Sequence, residues 1–287
     1  TMSEGVVSVE RNTVTSTERR SAASVSFGMR IWNRTWPRVL AIIIALAVWQ
    51  LVVLSGWKPT YVLPPPLSVG HTFFEQLIDP KFWQAVGTTV NRAIIGFGLS
   101  VLIGSTVGLA VSRSRVLRSA IGSLITGLQT MPSIAWFPLA ILLFGLTEQA
   151  IAFVVVLGAA PSIANGVVSG VDDVSPKLQQ VAYVLGARGA RMYRYVMIPA
   201  ALPSYVSGLK QGWAFAWRSL MAGELLVIIA SRPSLGVQLQ FFREFANASG
   251  LLSTMIVILM VGVLVDGAFS TVANGVRSRR GLGVVRL

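Results

Sequence analysis

"QVAYVLGARGARMYRYVMIPAALP", residues 180–203, decides how this chain is read. It carries Arg188, Arg191 and Arg194 and closes on Pro199 and Pro203, yet long apolar runs lie on both sides of it. Those runs do not suit a water-soluble domain: 53% of the 287 residues are hydrophobic, 12% are charged, and the mean hydropathy is +0.67. A soluble fold of this size needs a charged exterior, so the missing solvent is lipid. The chain is therefore read as an all-α integral membrane protein. With no cysteine and one histidine, His71, it has neither a disulfide frame nor a multi-histidine metal site.

Six segments are apolar over the roughly 20 residues that a helix needs to cross a hydrocarbon core of about 30 Å. They are 39–57, 91–111, 117–145, 150–171, 204–230 and 251–272. Pro132, inside the third, is expected to kink or break it. An even number of transmembrane helices puts both termini on one side. Arginine names that side, because cytoplasmic segments retain positive charge. Arg11, Arg19, Arg20, Arg30, Arg34 and Arg38 precede the first span, and Arg113, Arg115 and Arg118 follow the second. Lys177 and the three arginines of the opening stretch follow the fourth, and Arg277, Arg279, Arg280 and Arg286 follow the sixth. Both termini and the opening stretch are expected to be cytoplasmic. The net charge of +13 then reports topology, and no nucleic acid is expected as a partner.

The expected organisation is a flexible cytoplasmic tail over 1–28, a six-span body over 29–280 and a short tail over 281–287. After the first span, Pro64, Pro65 and Pro66 lead into "LSVGHTFFEQL", which fits a short amphipathic helix at the outer interface. Gly104 with Gly108, and Gly166 with Gly170, have the GxxxG spacing that lets helix backbones approach closely.

Catalytic patterns are missing. The sequence holds no GxxxxGK[ST] phosphate loop, no HExxH, no CxxC and no assembly of Ser, His and Asp around its one histidine. Asp172 and Asp173 are adjacent, about 100° apart on a helix, and suit a helix N-terminus better than acid–base work. No enzyme activity is expected of this chain.

The opening stretch reads as a loop with helices of its own. Ser175 is placed as a cap and Pro176 at the first helical position, and Leu178, Val181, Ala182 and Leu185 make one apolar stripe. Gly186 allows a turn or a close approach, and a second short helix through Met192, Tyr195 and Val196 is expected to end before Pro199.

Aligned on Gly186, the loop resembles the cytoplasmic EAA loop of ABC-importer permeases. Gln180 stands for the usual Glu, Val181 and Ala182 for the alanines, Val196 for Ile, Ile198 for Leu, and Pro199 matches. "LPPPLSV", "TTVNRAIIGFGLSVLIGSTVGLAVSRS", "QTMPSIAWFPLAILLFG" and "GARGARMYRYVMIPAALPSYVSGLKQGWAFAWRSLMAGELL" extend the resemblance over residues 40–280, towards the branch serving sulfonates, taurine, nitrate, bicarbonate and some pyrimidine precursors.

The resemblance implies a type I ABC importer-like permease in a bacterial plasma (inner) membrane. Two permease copies would pair, two separate ATPase subunits would hold ATP and Mg, and an extracytoplasmic binding protein would deliver substrate. This chain would carry no cofactor itself. The coupling loop, residues 172–199, would dock the ATPase through Gln180, Ala182, Gly186, Ala187, Arg188, Ala190, Arg191 and Pro199. The same arginines also suit lipid headgroups, whose negative charge holds a loop inside.

Charges inside spans are costly, which makes Arg218 and Glu224 candidates for the substrate pathway, with Met131, Trp136, Trp213 and Trp217 as wall residues. Structural pairing suits Lys210 as well, and tryptophans also serve as interface anchors. Arg92 is expected to snorkel outward. The implied substrate is a small anion such as an aliphatic sulfonate or taurine, with a neutral thiamine-precursor-like molecule as the rival. An ion-coupled carrier working through Glu224 and Asp266 is the alternative of a different class.

Overall fold

A computed structural model describes residues 27–278, so the tails expected over 1–28 and 281–287 lie almost wholly outside the described residues. The described residues contain helices and no strand. They belong to two compact units, Thr1–Lys58 and Pro59–Leu287. In the first, α1 (Phe27–Leu54) accepts Pro37 within its length and is apolar over Val39–Leu54.

In the second unit, α2 (Pro66–Ile78) is the amphipathic helix that the sequence suggests, opened by Pro66 where a missing N–H costs nothing. It docks on α11 (Ala248–Ser278), with Phe73 and Leu77 packed beside Phe82, Leu235 and Val257, and with Gln76 bridging to Ser253 and Thr254. α3 (Pro80–Arg113) starts well before the expected span and is capped by Asp79, whose side chain accepts from the Lys81 N–H. α4 (Arg115–Thr130) is followed by a 3₁₀ turn (Ser133–Trp136) and α5 (Phe137–Phe144). The chain bends by 103° between α4 and that second part, at the break expected of Pro132.

α6 (Glu148–Asp172) packs between α3 and α9 (Ile198–Leu226). Lipid tails are as apolar as leucine, so burial alone does not drive helices together in a bilayer; close backbone contact does. Here it comes from glycine. A Cβ on Gly104 would sit 2.6 Å from the Ala160 carbonyl oxygen, and one on Gly108 would sit 2.7 Å from that of Ala164. Across the other face of α6, a Cβ on Gly166 would lie 2.7 Å from the Gly208 Cα, and one on Gly170 would lie 2.7 Å from the Ala201 carbonyl oxygen. Both GxxxG pairs thus join α6 to its two neighbours. Phe137, Ile151, Val154 and Leu220 fill the space beyond them.

By length and composition α3, α6 and α11 are apolar enough to cross a membrane, and the bent pair raises that number to four. α9, with Lys210, Arg218 and Glu224, is long enough but not among them.

Two local expectations change. Asp172 and Asp173 stand at the C-terminal end of α6, where carboxylates are unfavourable to the helix dipole. They are held by partners instead: Asp172 by Arg118 at 2.8 Å, Asp173 by the Ser204 hydroxyl, which donates at 3.0 Å. The second helix of the loop does not end before Pro199. After α7 (Pro176–Val184), α8 (Ala190–Met192) runs through a π-turn, Tyr193–Met197, straight into α9, where the Ile198 N–H reaches back to the Tyr193 carbonyl. Pro199 has no N–H for the Tyr195 carbonyl, and its ring would press on that group in a regular helix. A locally widened turn accommodates both defects.

Candidate functional site

A groove runs between α9 and α11. On α9 it is lined by Lys210, Ala214, Trp217, Arg218 and Met221, whose spacing of three and four residues makes one stripe. Met255, Leu259, Gly262 and Asp266 face them from α11. Two adjoining cavities, of about 540 and about 480 Å³, share Ala214 and Asp266. Trp213 and Trp217 stack with their ring centroids 6.0 Å apart, and Trp217 lies against Gly262, where a Cβ would approach its indole nitrogen to 3.1 Å.

The groove's charges are unequally engaged. Lys210 pairs with Asp266 at 3.3 Å and donates to the Ser270 hydroxyl at 2.8 Å. Arg218 makes no ion pair among the described residues, and its guanidinium stands 5.6 Å from the Phe215 ring centroid. The cavity of about 540 Å³ therefore sets Arg218 beside an apolar wall of Met221, Met255, Leu259 and Trp217.

Glu224, six residues beyond Arg218 on the same helix, does not line this groove. Its side chain is 0% exposed and lies in a tight cluster. Arg92 donates from Nη1 to Glu224 at 2.9 Å, and from Nε and Nη2 to Glu148 at 2.8 and 2.7 Å. The Thr89 hydroxyl and the Gly236 N–H, at the start of α10 (Leu235–Glu244), donate to the other Glu224 oxygen at 2.9 and 3.0 Å. Arg92, expected to snorkel, is instead a buried pivot with a side chain 6% exposed. Sequence reading missed Glu148, Thr89 and Gly236 here. Gly236 cannot carry a side chain here, since a Cβ would collide with the Glu224 Cβ. Glu224 and Asp266, the pair on which an ion-coupled carrier would draw, occupy different environments, one in this cluster and one against Lys210.

The remaining wall candidates separate. Trp136 packs against the main core cluster and Met131 is exposed at the end of α4, neither lining the groove. No group of three or more His, Asp or Glu that could hold a metal ion occurs among the described residues.

In the loop, Gly186 has φ +85° and closes α7: the Ala187 N–H reaches the Ala182 carbonyl at 2.9 Å and the Gly186 N–H reaches Tyr183 at 3.0 Å. This is a Schellman turn, which needs the left-handed conformation that glycine adopts freely. A Cβ there would meet nothing within 4 Å, so within this chain the glycine serves the turn. Ala182 is buried, while Gln180, Ala190 and Arg191 are exposed and Ala187 half-buried. Arg188, also exposed, folds over the Tyr183 ring at 4.8 Å, and Ser175 sits at the start of α7 without a side-chain cap bond.

Residues 96–278 match the family described as binding-protein-dependent transport system inner membrane component. The chain belongs to that family. This permease is 28% identical over 223 residues to a putative aliphatic sulfonates transport permease of Bacillus subtilis strain 168, covering 78% of its own length and 80% of that protein's. It is 28% identical over 228 residues to the taurine transport system permease of Escherichia coli strain K12, covering 78% and 82%. The permease is placed by these relatives and a nitrate import permease in the branch that the sequence suggests. Its fold matches a chain of the MetNI methionine ABC transporter in inward-facing conformations, with TM-score 0.58 and 19% identity over 69% of this permease and 98% of that chain. It is a multi-pass ABC-importer permease subunit, a transport component and not an enzyme.

Proposed function

We propose that this permease carries a small organic anion, such as an aliphatic sulfonate or taurine, along the α9–α11 groove. The observation that carries the reading is Arg218, a cation without a carboxylate partner among the described residues, set beside an apolar wall. A charge in a span is costly unless it has work to do, and an anionic substrate is the complement it lacks. The printed names of the sulfonate and taurine relatives support the same choice.

On this reading the chain crosses a bacterial plasma (inner) membrane six times, through α1, α3, the bent pair of α4 with α5, α6, α9 and α11, with both termini cytoplasmic. Two copies pair, two separate ATPase subunits hold ATP and Mg, and an extracytoplasmic binding protein delivers the anion. Residues 172–199 dock the ATPase, with Gln180, Arg188 and Arg191 facing it and Gly186, Ala187 and Ala190 keeping the surface low. The continuous helix from Ala190 to Leu226 supports a lever: motor closure moves the loop, and the wall bearing Arg218 moves with it. Glu224 anchors that wall.

The test is reconstitution of the permease with its ATPase and binding protein in proteoliposomes, with ATP-dependent uptake of labelled taurine, an alkanesulfonate, nitrate and a neutral thiamine precursor. Uptake of a sulfonate is expected; uptake confined to the neutral compound would overturn the reading.

A further inference from the structure

A second pocket, remote from the groove, lies on the opposite side of α9. It has a volume of about 260 Å³ and is walled by Leu109 of α3, Val167 and Val171 of α6, and Met197 and Leu202 at the start of α9. Its hydroxyls are Tyr193, at the π-turn, and Ser105 with Tyr205. Ser105 and Tyr205 bond each other at 2.9 Å, so that pair asks nothing of a ligand. A polar solute would give up its water here without replacement; a hydrocarbon chain would not. At about 260 Å³ the space is also too small for one turn of a helix, a cylinder about 10 Å across and 5.4 Å long.

A cation stands beside one of the residues that line the pocket. Arg113, the last residue of α3, places its guanidinium 5.1 Å from the Tyr193 ring centroid and makes no ion pair among the described residues. Leu109 and Ser105 lie four and eight residues earlier on α3, about 6 and 12 Å deeper at 1.5 Å per residue. A cation where the helix leaves the bilayer, with an apolar slot running inward beneath it, matches the two ends of one kind of molecule. We propose that this pocket binds an anionic phospholipid, one acyl chain between α3, α6 and α9 and the headgroup at Arg113. The ligand would wedge against Met197 and Tyr193, two residues of the π-turn that joins the loop to α9, and so stiffen that joint. The site goes beyond the transport reading and does not depend on which anion is carried.

Native mass spectrometry of the full-length chain in mild detergent tests it, with phosphatidylglycerol and phosphatidylcholine of identical acyl chains as probes. Wild type is expected to retain one phosphatidylglycerol in preference to phosphatidylcholine. Leu109→Trp and Leu202→Trp, which fill the slot from opposite walls, are expected to lose the adduct. Arg113→Gln should keep lipid binding while the headgroup preference falls about fivefold, the effect of one interfacial cation. Retention of the adduct in a folded Trp variant, an unchanged preference in Arg113→Gln, or a change in copy number without loss of lipid would each overturn the site. The readout holds whichever leaflet supplies the lipid, so its failure is separate from any failure of the transport assay.

Discussion

Helix α9 carries two charges that live in opposite circumstances. Glu224 is enclosed and accepts from three donors, the Thr89 hydroxyl, Arg92 and the Gly236 N–H, whereas Arg218, six residues earlier, stands in an open groove whose carboxylate, Asp266, is paired with Lys210. Six residues turn a helix through about 600°, which puts the two on different faces. The cost of a membrane charge therefore marks a residue as constrained without saying by what. Glu224 is constrained by its neighbours; Arg218 has no ion pair among the described residues, and on the proposed function its constraint is the anionic substrate.

The largest effect is expected where the enclosed cluster is broken. Arg92→Met leaves Glu148 and the buried Glu224 without their shared cation, and loss of one partner of a buried pair costs about 3–5 kcal/mol. Thermal unfolding in detergent should show a large drop in midpoint or loss of folded protein. The triple variant Arg92→Met, Glu148→Gln, Glu224→Gln should recover much of it, since no buried charge is left uncompensated and Arg232, which also reaches Glu148 at 3.8 Å, is solvent-exposed; a triple variant as unstable as the single one would show that the cluster's shape matters more than its charge.

Arg218→Ala should do the reverse, leaving the midpoint close to wild type and lowering sulfonate uptake about ten- to hundredfold, as loss of a charge-assisted contact worth about 1.5–3 kcal/mol implies. A fall in stability matching the fall in uptake would erase the contrast between the two residues. Smaller effects belong to two turns at opposite ends of the unit. Gly186→Ala forces a side chain into φ +85° and should destabilise the α7 turn by about 1–2 kcal/mol, read as faster hydrogen exchange at the Ala187 amide. Ala246 already occupies such a conformation, φ 52°, where the Asn247 N–H reaches the Phe242 carbonyl at 2.8 Å. Ala246→Gly should relieve about 1–2 kcal/mol of left-handed strain against about 0.4–1 kcal/mol of added unfolded-chain entropy, a small net rise of the unfolding midpoint without change in transport.

Several of these features were legible in the sequence for identifiable physical reasons. The break at Pro132, the GxxxG pairs and the turn at Gly186 each follow from a local rule and lie where the sequence places them, and four of the six apolar runs fall in helices, or a bent helix pair, apolar and long enough to cross a membrane. The Arg92 cluster was not legible, because its members are 56 and 132 residues apart and nothing in a single apolar helix says which neighbour will meet a lone charge. For the same reason Glu224 and Arg218 looked alike as sequence. The π-turn was misjudged as a helix end, since proline predicts a defect in the hydrogen-bond ladder but not whether the helix stops or widens there.

The glycine contacts that join α3, α6 and α9 have an evolutionary consequence. At Gly104, Gly108, Gly166 and Gly208 a side chain would collide with neighbouring main chain or Cα atoms, which no choice of rotamer relieves, so those positions have almost no room to drift. The groove between α9 and α11 is built differently, from long side chains, Arg218 and Met221 on one helix and Met255 and Leu259 on the other, around open space. Substitution is therefore sterically barred along the seam of three helices and sterically open along the groove wall.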